Sequence, residues 1–416
     1  LCDDLIEENR RVVRRKSDLD HALKLMPANA DPQTKWRFMV RYSKVRHCLA
    51  ATVLFALGIS LCPAQSVISE ATASYFTIKV PGALGTYPMA VNDSMVVTGY
   101  YLVSATVSRG FLQAANGAIT TFAIPGGFWT EPESINASGD VTGYYETAPG
   151  FQHGFIRYAN GRVVTFDGPC ASSVPNCGAQ PVSINAFKAV VGSYPSPLQD
   201  KDNFLGAFTR SSTGAFTSYV LTQGGSYQTI GTGINASGTV IGYFTGGAGR
   251  GDTTGFEAHP DGYLNEFRFP PEDAGGVAGS IGTTQPESIN ASGIMAGWYR
   301  VCSSTPCQTW INGGFVRSLQ GTFTVFNPPG AIVTLAQPSP FLIINDDGVI
   351  VGSYTDQAAA QHGFVREEDG VITSFDPPGG VQTTATGINN YGVITGSFFE
   401  DGNPQTSIGF LRIPAN

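Results

Sequence analysis

Two copies of Pro-Glu-Ser-Ile-Asn, at 132–136 and 286–290, place Glu133 and Glu287 at matching sites, each three residues before an asparagine. Two carboxyls facing each other across a central tunnel at a suitable separation could support glycoside hydrolysis. Repetition explains the shared phrase more simply, because the matching positions elsewhere are Met89, Val182, Thr232, Leu342 and Thr386 and no polar cluster converges. Trp129, Tyr227 and Trp310 offer a second chemistry, since exposed rings on a rigid face can stack on sugars. The competing role for these rings is to cap the ends of sheets. Cys170/Cys177 and Cys302/Cys307 form two close couples, which suit two local disulfides made outside the cytoplasm. A four-cysteine zinc site is the rival reading, and neither couple has the two-residue spacing of a zinc ribbon. His153, His259 and His362 are too scattered to presume a metal site, and no cofactor is expected.

What must position these residues is a repeat. Asn92, Asn136, Asn185, Asn235, Asn290, Asn345 and Asn389 follow one another at gaps of 44, 49, 50, 55, 55 and 44. Each is followed seven residues later by Gly, and two further on by Tyr or Phe. A second series, Phe111, Phe155, Phe208, Phe256, Phe315, Phe364 and Phe410, marks another strand of every unit. A period of this length, built of strand and turn, belongs to a propeller or a solenoid.

The sixth unit shows the pattern in full. Leu342 to Asn345 reads as a short strand, Val349 to Tyr354 as a second, Gly363 to Arg366 as a third and Val371 to Asp376 as a fourth. Asn-Asp-Asp-Gly and Glu-Asp-Gly supply the tight turns between them. After Phe410 the chain lacks a fourth strand, and Tyr75 to Gly82 is an orphan with the fourth-strand pattern. The expected fold is therefore all-β: a seven-bladed β-propeller of four-stranded antiparallel blades, with the N-terminal strand closing the last blade. The repeated Gly is expected to open room for a ring, the third-strand Phe. Arg157, Arg210, Arg317, Arg366 and Arg412, each two residues past that Phe, are expected to stack or pair on the surface. Met95 and Lys188 stand in the first and third turns where the other units have Gly.

The phrase Ile-Asn-x-x-Gly-x-Val-x-Gly-x-Tyr, followed by His153-Gly154-Phe155, Gly206-Ala207-Phe208 or His362-Gly363-Phe364, resembles the bacterial extracellular HAF repeats. The resemblance spans residues 75–416 and implies export and a repeat fold. It implies no catalytic residues.

Composition fits an exported protein. Residues 1–38 differ in kind from the rest and read as an upstream extension. Residues 39–66 read as a signal peptide, with Arg41, Lys44 and Arg46 before an apolar run from Cys48 to Leu61 and Ala64-Gln65-Ser66 at the cleavage site. A type II membrane anchor is the alternative, for which the run of 14 residues is short. Residues 67–416 would form the propeller, with no membrane span in the mature chain, secreted, at the cell surface or in the periplasm, and monomeric. The mature segment carries 13 basic and 25 acidic residues, a net charge of −12 that repels phosphate backbones and speaks against nucleic acid. Turns within units are tight, whereas second-to-third loops and unit crossings are long and dissimilar. Any partner, an extracellular polysaccharide or a surface protein, is expected on that long-loop face. The function expected is non-catalytic recognition. A carbohydrate-cleaving enzyme or a structural envelope protein are the alternatives.

Overall fold

The computed structural model describes residues 73–170, 177–195, 205–221, 228–245, 252–280, 282–332, 342–400 and 406–415. The upstream extension, the signal peptide and Tyr227 lie outside the described residues.

Unit two illustrates how one repeat folds. Its strands Trp129–Ile135, Val141–Ala148, Phe151–Arg157 and Val163–Phe166 pair in that order, each antiparallel to the next. Turn chemistry imposes the first hairpin. The Asn136 N–H donates to Asp140 O and the Gly139 N–H returns to Asn136 O, with Gly139 at φ 83°. That left-handed residue is what a short hairpin with an extra turn residue requires. Units one and three build the same turn without glycine, so Met95 (φ 62°) and Lys188 (φ 66°) are held in a region that L side chains rarely adopt.

Four-stranded antiparallel sheets recur along the chain. Two of them join through a single parallel bridge, Thr253↔Thr283, and make one eight-stranded sheet. The orphan strand Ser74–Ile78 pairs antiparallel with Ser407–Ile413, so the first described strand completes the last sheet, as the count of strands required. A 3-10 turn at Pro271–Ala274 interrupts the crossing between units four and five.

The repeated asparagines do more than shape turns. Every one is buried, 3–6 % exposed. In unit three Asn185 Oδ1 accepts from the Phe187 and Ala189 N–H groups, which locks its own turn. Its Nδ2 donates to the Asn235 carbonyl of the next unit at 2.9 Å. The same donation runs from 92 to 136, 136 to 185, 235 to 290, 290 to 345, 345 to 389 and from 389 back to 92, at 3.0–3.3 Å. One amide thus meets a local need and a long-range one, and the chain of bonds returns to its start.

The glycine seven residues after each Asn answers the expected demand only in part. The inner strand carries a bulge whose extra residue is Met89, Glu133, Val182, Thr232, Glu287 or Thr386. Two residues before it, the inner strand's carbonyl oxygen would lie 2.0–2.3 Å from a Cβ built on Gly99, Gly143, Gly192, Gly242, Gly297 or Gly396. Backbone approach is the first constraint. The third-strand Phe ring is a second one at Gly242, Gly297 and Gly396.

Sheets pack through their aromatics. Third-strand Phe rings are 0–2 % exposed, and those of units two, three, six and seven meet the fourth-strand Phe of the preceding unit at 6.0–6.1 Å. The repeated arginines stack as expected, but between units and not on the exposed surface: Arg157, Arg210, Arg317, Arg366 and Arg412, all partly or wholly buried, lie 4.3–5.3 Å over Phe122, Phe166, Phe267, Phe326 and Phe375 of the unit before. Arg317 is buried and also pairs with Glu257 at 3.2 Å.

Candidate functional site

The two glutamates of the duplicated phrase occupy bulge positions, where a strand re-aims a side chain. In unit two the ladder sets Glu131 opposite Tyr144 and Trp129 opposite Glu146. The Trp129 indole N–H donates to Glu131 Oε1 at 2.6 Å, and the Tyr144 hydroxyl donates to Glu131 Oε2. Tyr100 reaches in from unit one, stacked on Tyr87 at 4.8 Å with the rings 12° from parallel. Burial raises the Glu131 carboxyl, against the two hydrogen bonds it accepts and with help from Glu146. Burial, then the Glu131 charge, push Glu133 up to about 8. Burial and the neighbouring carboxyls also raise Tyr100 and Tyr144. Glu133 therefore holds its proton more tightly than an exposed carboxyl does.

Glu287 sits in a different setting. It accepts from the Trp298 indole N–H at 3.1 Å, and burial pushes it to about 8 despite that bond. Burial and the Glu287 charge push Tyr243 of unit four up to about 12. Each glutamate thus has its own aromatic neighbours, and the carboxyl that acts on Glu133 is Glu131, not Glu287. Sequence reasoning missed Glu131, although Glu131-Pro132-Glu133 spells the pair two residues apart.

The sign of the pH effect follows. Glu287 holds its proton more tightly folded than unfolded, so its stabilising contribution is full below the ordinary value of 4.5 and is lost as pH rises to about 8. Glu287→Gln is expected to gain on the parent by about 1–3 kcal/mol between pH 6 and pH 9, a figure discounted for partial solvent contact. Urea denaturation at pH 4 and pH 9 checks it; a gain that is equal at the two would remove titration as its cause.

On the long-loop side a cleft of about 470 Å³ opens between units two and three, lined by Thr147, Phe151, Gln152, His153, Gln180, Ser193 and Tyr194 among others. Its parts are held from several directions. The Ala179 N–H donates to Gln152 O at 2.9 Å, and Cys170–Cys177, a disulfide, closes the crossing beside it. His153 lies between Asp167, 2.6 Å from Nδ1, and Thr147, 3.1 Å from Nε2. Gln180 donates to Gln152, whose own amide donates to Glu146 at 3.2 Å, so the cleft is wired toward the Trp129–Glu131 cluster. Unit six repeats the histidine arrangement with Asp356 in place of Thr147; His362 lies 2.7 Å from Asp376 and 3.4 Å from Asp356. The hydrogen bond to Asp376 raises His362 against desolvation, with Asp356 adding to the effect.

Trp129 and Trp310 are both partly buried and placed far apart in the ladder of units. Trp129 belongs to the carboxyl cluster. Trp310 pairs across strands with Cys302 and carries the Arg300 guanidinium 4.4 Å over its ring, so a cation takes one stacking face. The second disulfide, Cys302–Cys307, adjoins it. Among the described residues no group of three or more His, Cys, Asp or Glu is arranged to hold a metal ion. No helix among them is long and apolar enough to cross a membrane.

Fold and site together define an all-β repeat protein of four-stranded antiparallel sheets with a cleft on its long-loop side. No family profile matches the sequence, and no curated protein matches it. Among solved structures the chain is similar to a puromycin hydrolase, with 13% identity over 79% of this chain and 53% of that one, and a TM-score of 0.49. An ancestral GH74 enzyme matches at 11% identity over 83% of this chain and 51% of that one, TM-score 0.44. A variant of Aleuria aurantia lectin in complex with alpha-methyl-L-fucoside matches at 11% identity, over 74% of this chain and 95% of that one, TM-score 0.34. The chain spans about half the length of the hydrolase it matches.

Proposed function

We propose that this chain is an exported seven-bladed β-propeller of the HAF repeat type, monomeric, that recognises an extracellular polysaccharide through its long-loop face without cleaving it. The cleft between units two and three carries the reading. Its walls combine the exposed ring of Phe151 with the neutral hydrogen-bonding groups of Gln152, Gln180 and Thr147, over the buried Tyr194. A sugar presents an apolar ring face and a rim of hydroxyls, and rings plus neutral donors and acceptors match both. The Cys170–Cys177 disulfide ties the two ends of the adjoining crossing together. Closure of the propeller is supported by the circuit of asparagine bonds and by the pairing of Ser74–Ile78 with the last strand. The disulfides support export. Binding is favoured over cleavage by the separation of Glu133 and Glu287 into clusters with different partners.

A glycan array tests the proposal. The folded protein is expected to bind at least one polysaccharide class, with Phe151→Ala weakening binding about tenfold or more, the scale of a lost stacking contact. Phe151 is 40 % exposed, so its removal should leave the fold intact. Trp310→Ala is expected to change binding little, whereas Trp129→Ala reports on the neighbouring cluster. A blank array with correctly folded protein would sink the saccharide reading and put a protein partner or a structural role in front.

A further inference from the structure

A carboxylate accepts hydrogen bonds and never donates them, so a chain of amides anchored on one has a fixed direction. Two chains of this kind end in the cleft between units two and three. In the first, the Glu146 carboxylate accepts from the Gly150 N–H at 3.3 Å and from the Gln152 amide at 3.2 Å. Gln152 must therefore turn its Oε1 away from Glu146, and that oxygen accepts from the Gln180 amide. Gln180 keeps its own Oε1 and one N–H for whatever enters the cleft it lines.

The second chain starts at Asp167, whose carboxylate lies 2.6 Å from His153 Nδ1 and holds the proton of the neutral imidazole on that nitrogen. Nε2 is then an acceptor, and the Thr147 hydroxyl, 3.1 Å away, donates to it. The Thr147 oxygen keeps a lone pair for the cleft, which it also lines. Unit six lacks this ending: Asp356 stands in the place of Thr147, so the chain through His362 ends in a second carboxylate.

Both chains deliver an acceptor oxygen to the cleft and leave a negative charge at the far end. No Lys or Arg lines the cleft among the described residues. We propose that the cleft, on the saccharide reading on which this rests, selects neutral sugars over uronate and sulfated ones, with Glu146 and Asp167 as the positioning residues that set the choice. A sugar hydroxyl donates as well as accepts. It can give its proton to Gln180 Oε1 or to Thr147 and take one from the Gln180 N–H. A carboxylate or sulfate brings acceptors alone, so it sets oxygen against oxygen and approaches two like charges with no cation to offset them. A site built around a hydroxyl leaves its own groups unpaired when the ligand lacks one, which sharpens the rejection.

A glycan array that sets galactan beside polygalacturonate and dextran beside dextran sulfate, among other such pairs, tests the choice. The parent is expected to bind the neutral member of a bound pair about tenfold or more tighter. In E146Q the new amide can donate as well as accept, so Gln152 and Gln180 are free to reverse and the charge is gone. The gap is expected to narrow to about threefold or less, with the melting temperature close to that of the parent. In D167N the side-chain amide can donate to Nδ1, which moves the ring proton to Nε2 and turns the Thr147 hydroxyl proton toward the cleft. The same narrowing is expected there. Asp167 is about half exposed, so D167N carries the test if E146Q does not fold. A merely structural role for the carboxylates would weaken both members of a pair alike. Equal or tighter binding of the anionic member by the parent, or a gap that neither variant narrows, would overturn the proposal and leave the saccharide reading standing. A blank array with folded protein would overturn both.

Discussion

Alanine at Gly242 is expected to leave little folded protein. The new Cβ would stand 2.0 Å from the Ile230 carbonyl oxygen and 2.7 Å from the Phe256 ring. Neither can withdraw cheaply. Ile230 belongs to the inner strand Thr229–Ile234, whose bulge pushes its backbone toward Gly242, and Phe256 is fully buried. Interiors at close-packed density resist even one added methyl, and here the obstacle is backbone. The expected cost is about 4 kcal/mol or more. Urea denaturation beside Gly262→Ala provides the comparison. Gly262 lies in an open turn at φ 90° with nothing within 4 Å, so that change costs only conformational strain, about 1 kcal/mol. A Gly242→Ala protein as stable as the Gly262→Ala one would refute the close-approach account.

Asn185→Ala is the second large effect. It removes two bonds that hold the turn and one, at 2.9 Å, that ties unit three to the Asn235 carbonyl. Stranding those buried backbone groups is expected to cost about 3–5 kcal/mol in total. Asn185→Asp divides the loss by role. An ionised carboxylate still accepts from Phe187 and Ala189, but it sets oxygen against the Asn235 carbonyl where an N–H had donated. Its proton returns as pH falls, and with it the donor. The Asp variant should therefore approach the parent toward pH 4 and fall furthest behind at pH 7, while the Ala variant keeps a constant deficit. Parallel pH profiles for the two variants would show that the link between units contributes nothing.

The contrast between these residues tells how far sequence carried. Asn at +0, Gly at +7 and an aromatic at +9 were legible as a repeat because the ladder imposes the same local demands on every unit. The four-strand meander, the strand that completes the last sheet and the two disulfides followed from counting and from turn chemistry. The reason for the glycine was read only in part. The third-strand ring is near at Gly242, Gly297 and Gly396, but the inner-strand carbonyl is the closer obstacle, and a backbone approach leaves no residue-type signal. The arginines were rightly given to stacking, yet their rings belong to the preceding unit, which no within-repeat pattern could name.

Sites were harder to read because they arise where repeats differ and meet. Glu133 and Glu287 look identical in sequence and sit on equivalent bulges. They diverge through what the ladder and the neighbouring unit bring to each: Glu131, Tyr144 and Tyr100 to one, Trp298 and Tyr243 to the other. The cleft is likewise made by two units, with Phe151 and His153 from one and Tyr194 from the next. The sequence by itself determined the unit: strand lengths, turns, the buried faces and the cysteine couples, all set by interactions within some 50 residues. Only the tertiary structure decided the neighbours, because burial of a carboxyl, stacking of a guanidinium and the opening of a cleft depend on side chains that a different repeat contributes.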